Sequence, residues 1–319
     1  MNDRIIMFAA MGLATLLFTG CASTPPESGL PQGLDTMRCG QARIEFIWRP
    51  EARKLDLTLD GKTRRMVPVK SATGARFEVP TNEKNYFWNH GETAQLQIDG
   101  ELYPQCVDPG GLEMPFTASG NEPFWRVEVV PGQLWLEVVD EPVVAMSWEL
   151  QEKRRSSRII KAEDQLRQLE LRAGRQLCRD SMTGMPHPYQ VQLFLNGKMH
   201  QGCGGSPQQL IRGIDWHVTD LRGLPVVTDH EPRLRFADEG RLGGNAGCND
   251  FTGVYELSGE GVRPTVRAST IKACSDNVME QERQFLQMLG KVVRFDISGS
   301  GELLLLTGDG DRLVAVREP

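Results

Sequence analysis

Long apolar runs are nearly absent from this chain. The only extended one, Ile5 to Phe18, falls short of the roughly 20 residues a permanent bilayer-spanning helix needs. A basic excess is lacking too. Lys and Arg number 36 against 42 Asp and Glu, for a net charge of -6, and no segment carries the cationic surplus that marks a nucleic-acid binder. Aromatic residues make up only 7% of the chain and histidines number 5. Signatures of catalysis are missing as well. There is no GxSxG-type elbow, and the glycine stretch Gly243-Gly244-Asn245-Ala246-Gly247 lacks the Lys-Ser/Thr of a phosphate-cradling loop. Cys178, His187, His200 and Cys203 do not have the short-spaced pairing of a zinc site. Glu122 and Asp180 remain as a bare acid/base pair. The expectation is therefore a protein that is not an enzyme, with no metal and no nucleic-acid partner.

What is present starts with Arg4 ahead of the short apolar run and small residues behind it, a pattern that reads as a secretory signal over residues 1–20. The stretch Leu16-Leu17-Phe18-Thr19-Gly20-Cys21 resembles a bacterial lipoprotein lipobox, with Phe18 where Leu is usual. That resemblance implies a covalent lipid (palmitate among its acyl chains) on Cys21 as the first mature residue and the only non-protein group. It also implies that Ala22, rather than Asp, sends the protein to the outer membrane of a Gram-negative envelope. Membrane attachment would then come from lipid, since several acyl chains hold firmly where one does not. Residues 21–38, small, polar and rich in Pro and Gly, read as a flexible tether.

Six cysteines remain: Cys39, Cys106, Cys178, Cys203, Cys248 and Cys274. In an exported chain an even set implies disulfides, and six allow fifteen connectivities. Pairing sequence neighbours gives three loops that do not overlap, Cys39–Cys106, Cys178–Cys203 and Cys248–Cys274. One bond per compact unit is the simplest reading, because small units have little apolar area to spare. It predicts three domains, 39–106, 107–206 and 207–319. The fold class expected is mainly β, three small antiparallel domains with one helix in the last.

In 39–106, apolar and polar residues alternate through Ile44, Phe46 and Trp48, then Leu55, Leu57 and Leu59, then Ala94, Leu96 and Ile98. Asp60-Gly61 and Asp99-Gly100 are hairpin signals. Two loops stand out, Ser71-Ala72-Thr73-Gly74-Ala75-Arg76-Phe77 and Phe87-Trp88-Asn89-His90-Gly91. With the flanking cysteines they resemble the membrane-bound inhibitors of c-type lysozyme, eight-stranded barrels marked by an SGxxY loop and an aromatic-x-Lys-Gly loop. The resemblance implies a loop hydroxyl entering the lysozyme cleft with a lysine in support. Here Thr73 replaces the serine, Phe77 the tyrosine and His90 the lysine. A hydroxyl and a cation suit a cleft whose chemistry depends on two carboxylates. Thr73 and His90, with Ser71 and Arg76, are the expected lysozyme-binding residues. Inhibition should weaken above neutral pH, where histidine loses its charge.

The middle domain opens with Asp108-Pro109-Gly110-Gly111 and carries Ser119-Gly120-Asn121-Glu122-Pro123-Phe124-Trp125. Over 113–206 it is similar to an uncharacterised lipoprotein domain marked by NEPFW. Its basic run, Lys153-Arg154-Arg155-Ser156-Ser157-Arg158, reads as a solvated loop. In 207–319 the glycine stretch running into Cys248-Asn249-Asp250-Phe251, read as a bulged hairpin, and Ser269-Thr270-Ile271-Lys272-Ala273-Cys274 resemble the META domain of heat-shock lipoproteins, which implies envelope stress tolerance. The spacing predicts a helix over 276–289 with Val278, Met279, Phe285, Leu286 and Leu289 on one face, capped by Ser275 or Asp276 and ended by Gly290. Two functions follow: an outer-membrane lipoprotein that inhibits c-type lysozyme, or a non-inhibitory envelope-integrity lipoprotein acting through its META domain.

Overall fold

A computed structural model describes residues 33–317. The expected signal over 1–20, Cys21 and the tether as far as residue 32 lie outside the described residues. Antiparallel strands dominate, and one α-helix occurs among the described residues. No described helix is long and apolar enough to cross a membrane.

The first module runs β1 (Leu34–Cys39), β2 (Ala42–Arg49), β3 (Lys54–Leu59), β4 (Lys62–Val69), β5 (Ala75–Val79), β6 (Asn82–Asn89), β7 (Thr93–Ile98), β8 (Glu101–Leu102) and β9 (Cys106–Val107). Consecutive strands pair from β1 to β7, and β7–β9–β1 completes the ring, so eight strands close on themselves while β8 extends from β7. Closure removes the unpaired sheet edges. The period-2 alternation sends Leu55, Leu57 and Leu59 inward to meet Phe46, Phe77 and Phe87. Asp60 and Gly61, like Asp99 and Gly100, all have positive φ, as a two-residue type I′ hairpin requires. Cys39 and Cys106 face each other across β1 and β9 and are bonded. Their separation of 67 residues corresponds to about 4 kcal/mol of chain-entropy stabilisation.

The barrel starts earlier than the sequence suggests. Residues 34–38, expected to be tether, belong to β1, where Met37 is buried opposite Ile44. Of the two apolar residues in 34–38, Leu34 and Met37, only Met37 is buried, so no period reveals the strand.

The middle module is a nine-stranded antiparallel sheet. Its edge strands, Val144–Met146 and Trp148–Arg154, are separated only by Ser147, and the Trp148 indole donates to Val130 O at 2.7 Å. The sheet therefore curls nearly shut. Trp125 lies at its centre. A Cβ on Gly120 would lie 2.4 Å from Trp125 Nε1, and one on Gly202 would lie 2.7 Å from Trp125 Cζ2. The NEPFW stretch and the Gly202-Cys203-Gly204 stretch thus pack as one unit, pinned by the Cys178–Cys203 bond.

In the last module the glycine stretch forms a hairpin, Arg241–Asn245 with Asp250–Ser258, whose register is continuous and not bulged as expected; the register shift between Thr252 and Gly253 lies in the next pairing, with Gly261–Ser269. Cys248 is bonded to Cys274. The helix Asp276–Leu289 ends at Gly290, and Ser275 holds its N-cap position with no side-chain bond. Its buried residues are Val278, Gln281, Phe285, Met288 and Leu289. Met279, expected on the inner face, is 46% exposed. Gln281 takes an inward position instead because its amide donates to His230 O at 2.7 Å and accepts from Val227 N.

The modules interlock. Gln41 N donates to Arg212 O at 2.9 Å and Gln41 Nε2 to Gln209 O at 2.6 Å, joining first to last. Met185 of the middle module joins the core of the last, while Ile214 also packs on the core of the barrel.

Candidate functional site

Ala75 at the start of β5 faces Asn89 at the end of β6. The loop before β5 and the loop after β6 therefore leave the barrel at the same end, and the two stretches singled out in the sequence meet. Gly74 is the point of contact. Its φ is +64°, and a Cβ there would lie 2.2 Å from Asn89 O and 3.0 Å from His90 Nδ1. Only glycine combines that backbone conformation with that approach.

Four bonds hold the pair of loops. Ser71 Oγ donates to Gly74 O at 3.0 Å. The Trp88 indole N–H donates to Thr73 O at 2.8 Å. Gly91 N donates to Asn89 Oδ1 at 2.9 Å, and His90 N to Thr93 O at 2.8 Å. The His90 ring rests 4.6 Å from the Trp88 ring. Thr73 and His90 are exposed, and among the described residues the Thr73 hydroxyl makes no hydrogen bond. Ser71, by contrast, spends its proton within the loop. Arg76 is half-buried, paired with Glu78 at 2.8 Å and lying 4.2 Å over the Tyr86 ring. Phe77 is a core residue, 5.2 Å from Trp48.

Glu92 follows His90-Gly91 and bonds across the module boundary. Arg158 Nε donates to its Oε2 at 3.0 Å, and Lys153 Nζ lies 3.0 Å from its Oε1. Burial pushes the Glu92 carboxyl up, but the Lys153 and Arg158 bonds outweigh it and hold the group below its ordinary value. The basic run is solvated at Arg154 and Arg155, as expected, but it forms a hairpin turn that Lys153 and Arg158 seat on the barrel. Its Arg158 is only 1% exposed, and Lys153 also pairs with Asp108 at 2.9 Å. A loop reading misses this because the acidic partner lies 66 residues away.

Trp88 and Asn89, within the second of the two loops, prop Thr73 and brace Gly91 through bonds that the sequence does not announce. Asn two residues before a turn amide is a recognisable Asx signal. Nothing in sequence pointed to Glu92, and Lys153 and Arg158 stood out only as the ends of a basic run. Elsewhere, the Cys178–Cys203 bond removes both sulfurs as zinc ligands. Asp180 accepts bonds from Asn121 Nδ2 and the Met182 and Thr183 amides, so it braces its own turn.

Two family models match the chain. Residues 38–103 match "Membrane-bound lysozyme-inhibitor of c-type lysozyme" and residues 208–319 match "META domain". A relative named membrane-bound lysozyme inhibitor of C-type lysozyme, from Yersinia enterocolitica, is 29% identical over 92 residues, which is 28% of this chain and 70% of the relative. No solved structure matches.

Proposed function

We propose that the first barrel inhibits a c-type lysozyme, inserting the Thr73 hydroxyl into the catalytic cleft while His90 supplies a second, cationic contact. The observation that carries this reading is the free, exposed hydroxyl of Thr73 on a loop already fixed by the Trp88, Ser71 and Gly74 contacts. A loop ordered before binding avoids the ordering cost that otherwise weakens an interface. The match of residues 38–103 to the inhibitor family supports the same assignment. A glycosidase of this kind works with two carboxylates. A hydroxyl donates a hydrogen bond to one, and an imidazolium offsets the charge of the other. Ser71 serves as the brace of the loop, and Arg76 lies beside it on the barrel wall. The working location is the outer membrane, held by lipid on Cys21.

The test uses the mature chain against a c-type lysozyme acting on bacterial cell walls. Inhibition is expected. Thr73→Ala should weaken it about tenfold or more, the loss of one hydrogen bond to a charged group. Inhibition equal in wild type and Thr73→Ala rejects the hydroxyl mechanism. The match of 208–319 to the META domain favours a second reading, an envelope-integrity protein that no longer inhibits. A wild type without inhibition that gains it on the double change Thr73→Ser, His90→Lys would select that reading. For the anchor, Cys21→Ser should move the protein from the membrane fraction to the soluble one and abolish palmitate labelling.

A further inference from the structure

We infer that the middle module positions the second lysozyme-facing loop, with Arg158 as the positioning residue; the inference rests on the reading of the barrel as a lysozyme inhibitor. Arg158 ties two modules together through one planar group. On one side its Nε donates to Glu92 Oε2 at 3.0 Å. On the other its Nη1 donates to Arg154 O at 2.6 Å and Ser157 O at 3.0 Å, the carbonyls of its own hairpin turn. The side chain is only 2% exposed, and Nη2 is buried without a hydrogen-bond partner.

A guanidinium out of water needs its counter-charge, and removing one partner of such a pair costs far more than the pair itself contributes. Glu92 therefore cannot leave without stranding Arg158, and the short path from Glu92 back to His90 is fixed from the middle module's side. The other contacts close the joint. Lys153 bridges Glu92 and Asp108, and Asp108 N donates to Glu92 O at 2.9 Å. Gly110, at φ +76°, approaches so closely that a Cβ would lie 2.5 Å from Arg154 O. The linker and the hairpin turn thus meet without slack. Glu92 lies inside the turn that the His90 N to Thr93 O bond closes, and the His90 ring rests against Trp88.

A positioned loop loses less freedom on binding, so the middle module should contribute affinity for lysozyme without touching it. The experiment uses the full mature chain in four forms: wild type, Arg158→Met, Glu92→Gln and the double variant. Amide hydrogen exchange over residues 89–93 is read beside the inhibition constant for hen egg-white lysozyme. Each single change should speed exchange there and weaken inhibition about tenfold, the scale of ordering one or two side chains on binding. The double variant should be no worse than either single one, since no buried charge is then left unpaired. Exchange over 71–74 should stay at the wild-type rate in all forms. Unchanged exchange over 89–93 in both single variants overturns the inference, as does faster exchange with an unchanged inhibition constant. Glu92→Gln keeps every cation in place, so it decides the matter if Arg158→Met does not fold. A wild type that inhibits no lysozyme rejects the functional reading instead, and the exchange measurements alone then decide whether Arg158 positions the loop.

Discussion

Gly74 carries more of the candidate site than its size suggests. Its φ of +64° and its approach to Asn89 O leave no room for a side chain. Gly74→Ala should destabilise the first module by about 1–2 kcal/mol, the cost of a left-handed L-residue, and should also part the two loops. Denaturant unfolding followed by the tryptophans measures the first effect, and an inhibition assay the second. Retained inhibition with lowered stability would show that the loops need not touch. Trp88→Phe asks a narrower question. It keeps an aromatic ring beside His90 but deletes the bond to Thr73 O, so stability should change by about 1 kcal/mol. These two residues mark what the sequence made legible. The turn at Gly74 is legible because glycine marks a left-handed position, whereas Thr73 and His90 stand out only through the resemblance of their two loops to the inhibitor family. The work of Trp88 could not, since its acceptor is a backbone carbonyl 15 residues back and any residue type supplies a carbonyl.

Whole elements were easier to read than their faces. The strands around Asp60-Gly61 and Asp99-Gly100 follow from alternation broken by turn residues, and the helix over 276–289 follows from its period. An apolar count passes over polar residues and so puts Met279 on the inner face. Gln281 is buried instead, satisfied by His230 O and Val227 N. Replacing Phe285, fully buried and 5.8 Å from Phe251, by alanine should cost the last module about 3–5 kcal/mol. Met279→Ala should stay within about 0.5 kcal/mol, as an exposed change does. Equal losses in urea unfolding would mean that the helix is rotated from the face described. The hairpin Trp148–Arg154 with Ser157–Glu163 makes the converse point. Its basic turn looked solvated because charge runs usually are, and only tertiary structure brings Glu92 to it.

At the scale of the whole molecule, the three cysteine pairs match the three nine-stranded sheets, since each bond closes within one module. How the modules join was not legible, because the joints are made of single polar residues scattered over the chain. Two of them are carboxylates with opposite responses to pH. Glu92, at the first joint, is held below its ordinary value of 4.5 by Lys153 and Arg158 despite its burial. Its contribution is therefore present above about pH 4.5 and is lost as pH falls through the lower folded value. Glu113, which accepts a bond from Gln209 Nε2 between middle and last modules, is pushed above 4.5 by burial, against the pull of Gln209 and Arg212. The folded state then holds its proton more tightly than the unfolded one. Its contribution is full below pH 4.5 and declines as pH rises through the raised value. Glu113→Gln removes that decline, so the variant should gain on wild type as pH rises above 4.5 and level off once the raised value is passed, while Glu92→Gln should lose least at the acid end of the range. Melting temperatures of the full chain across pH 3.5 to 8 measure both slopes. A Glu113→Gln difference that stays flat or shrinks as pH rises would mean that this carboxyl is not desolvated at the joint.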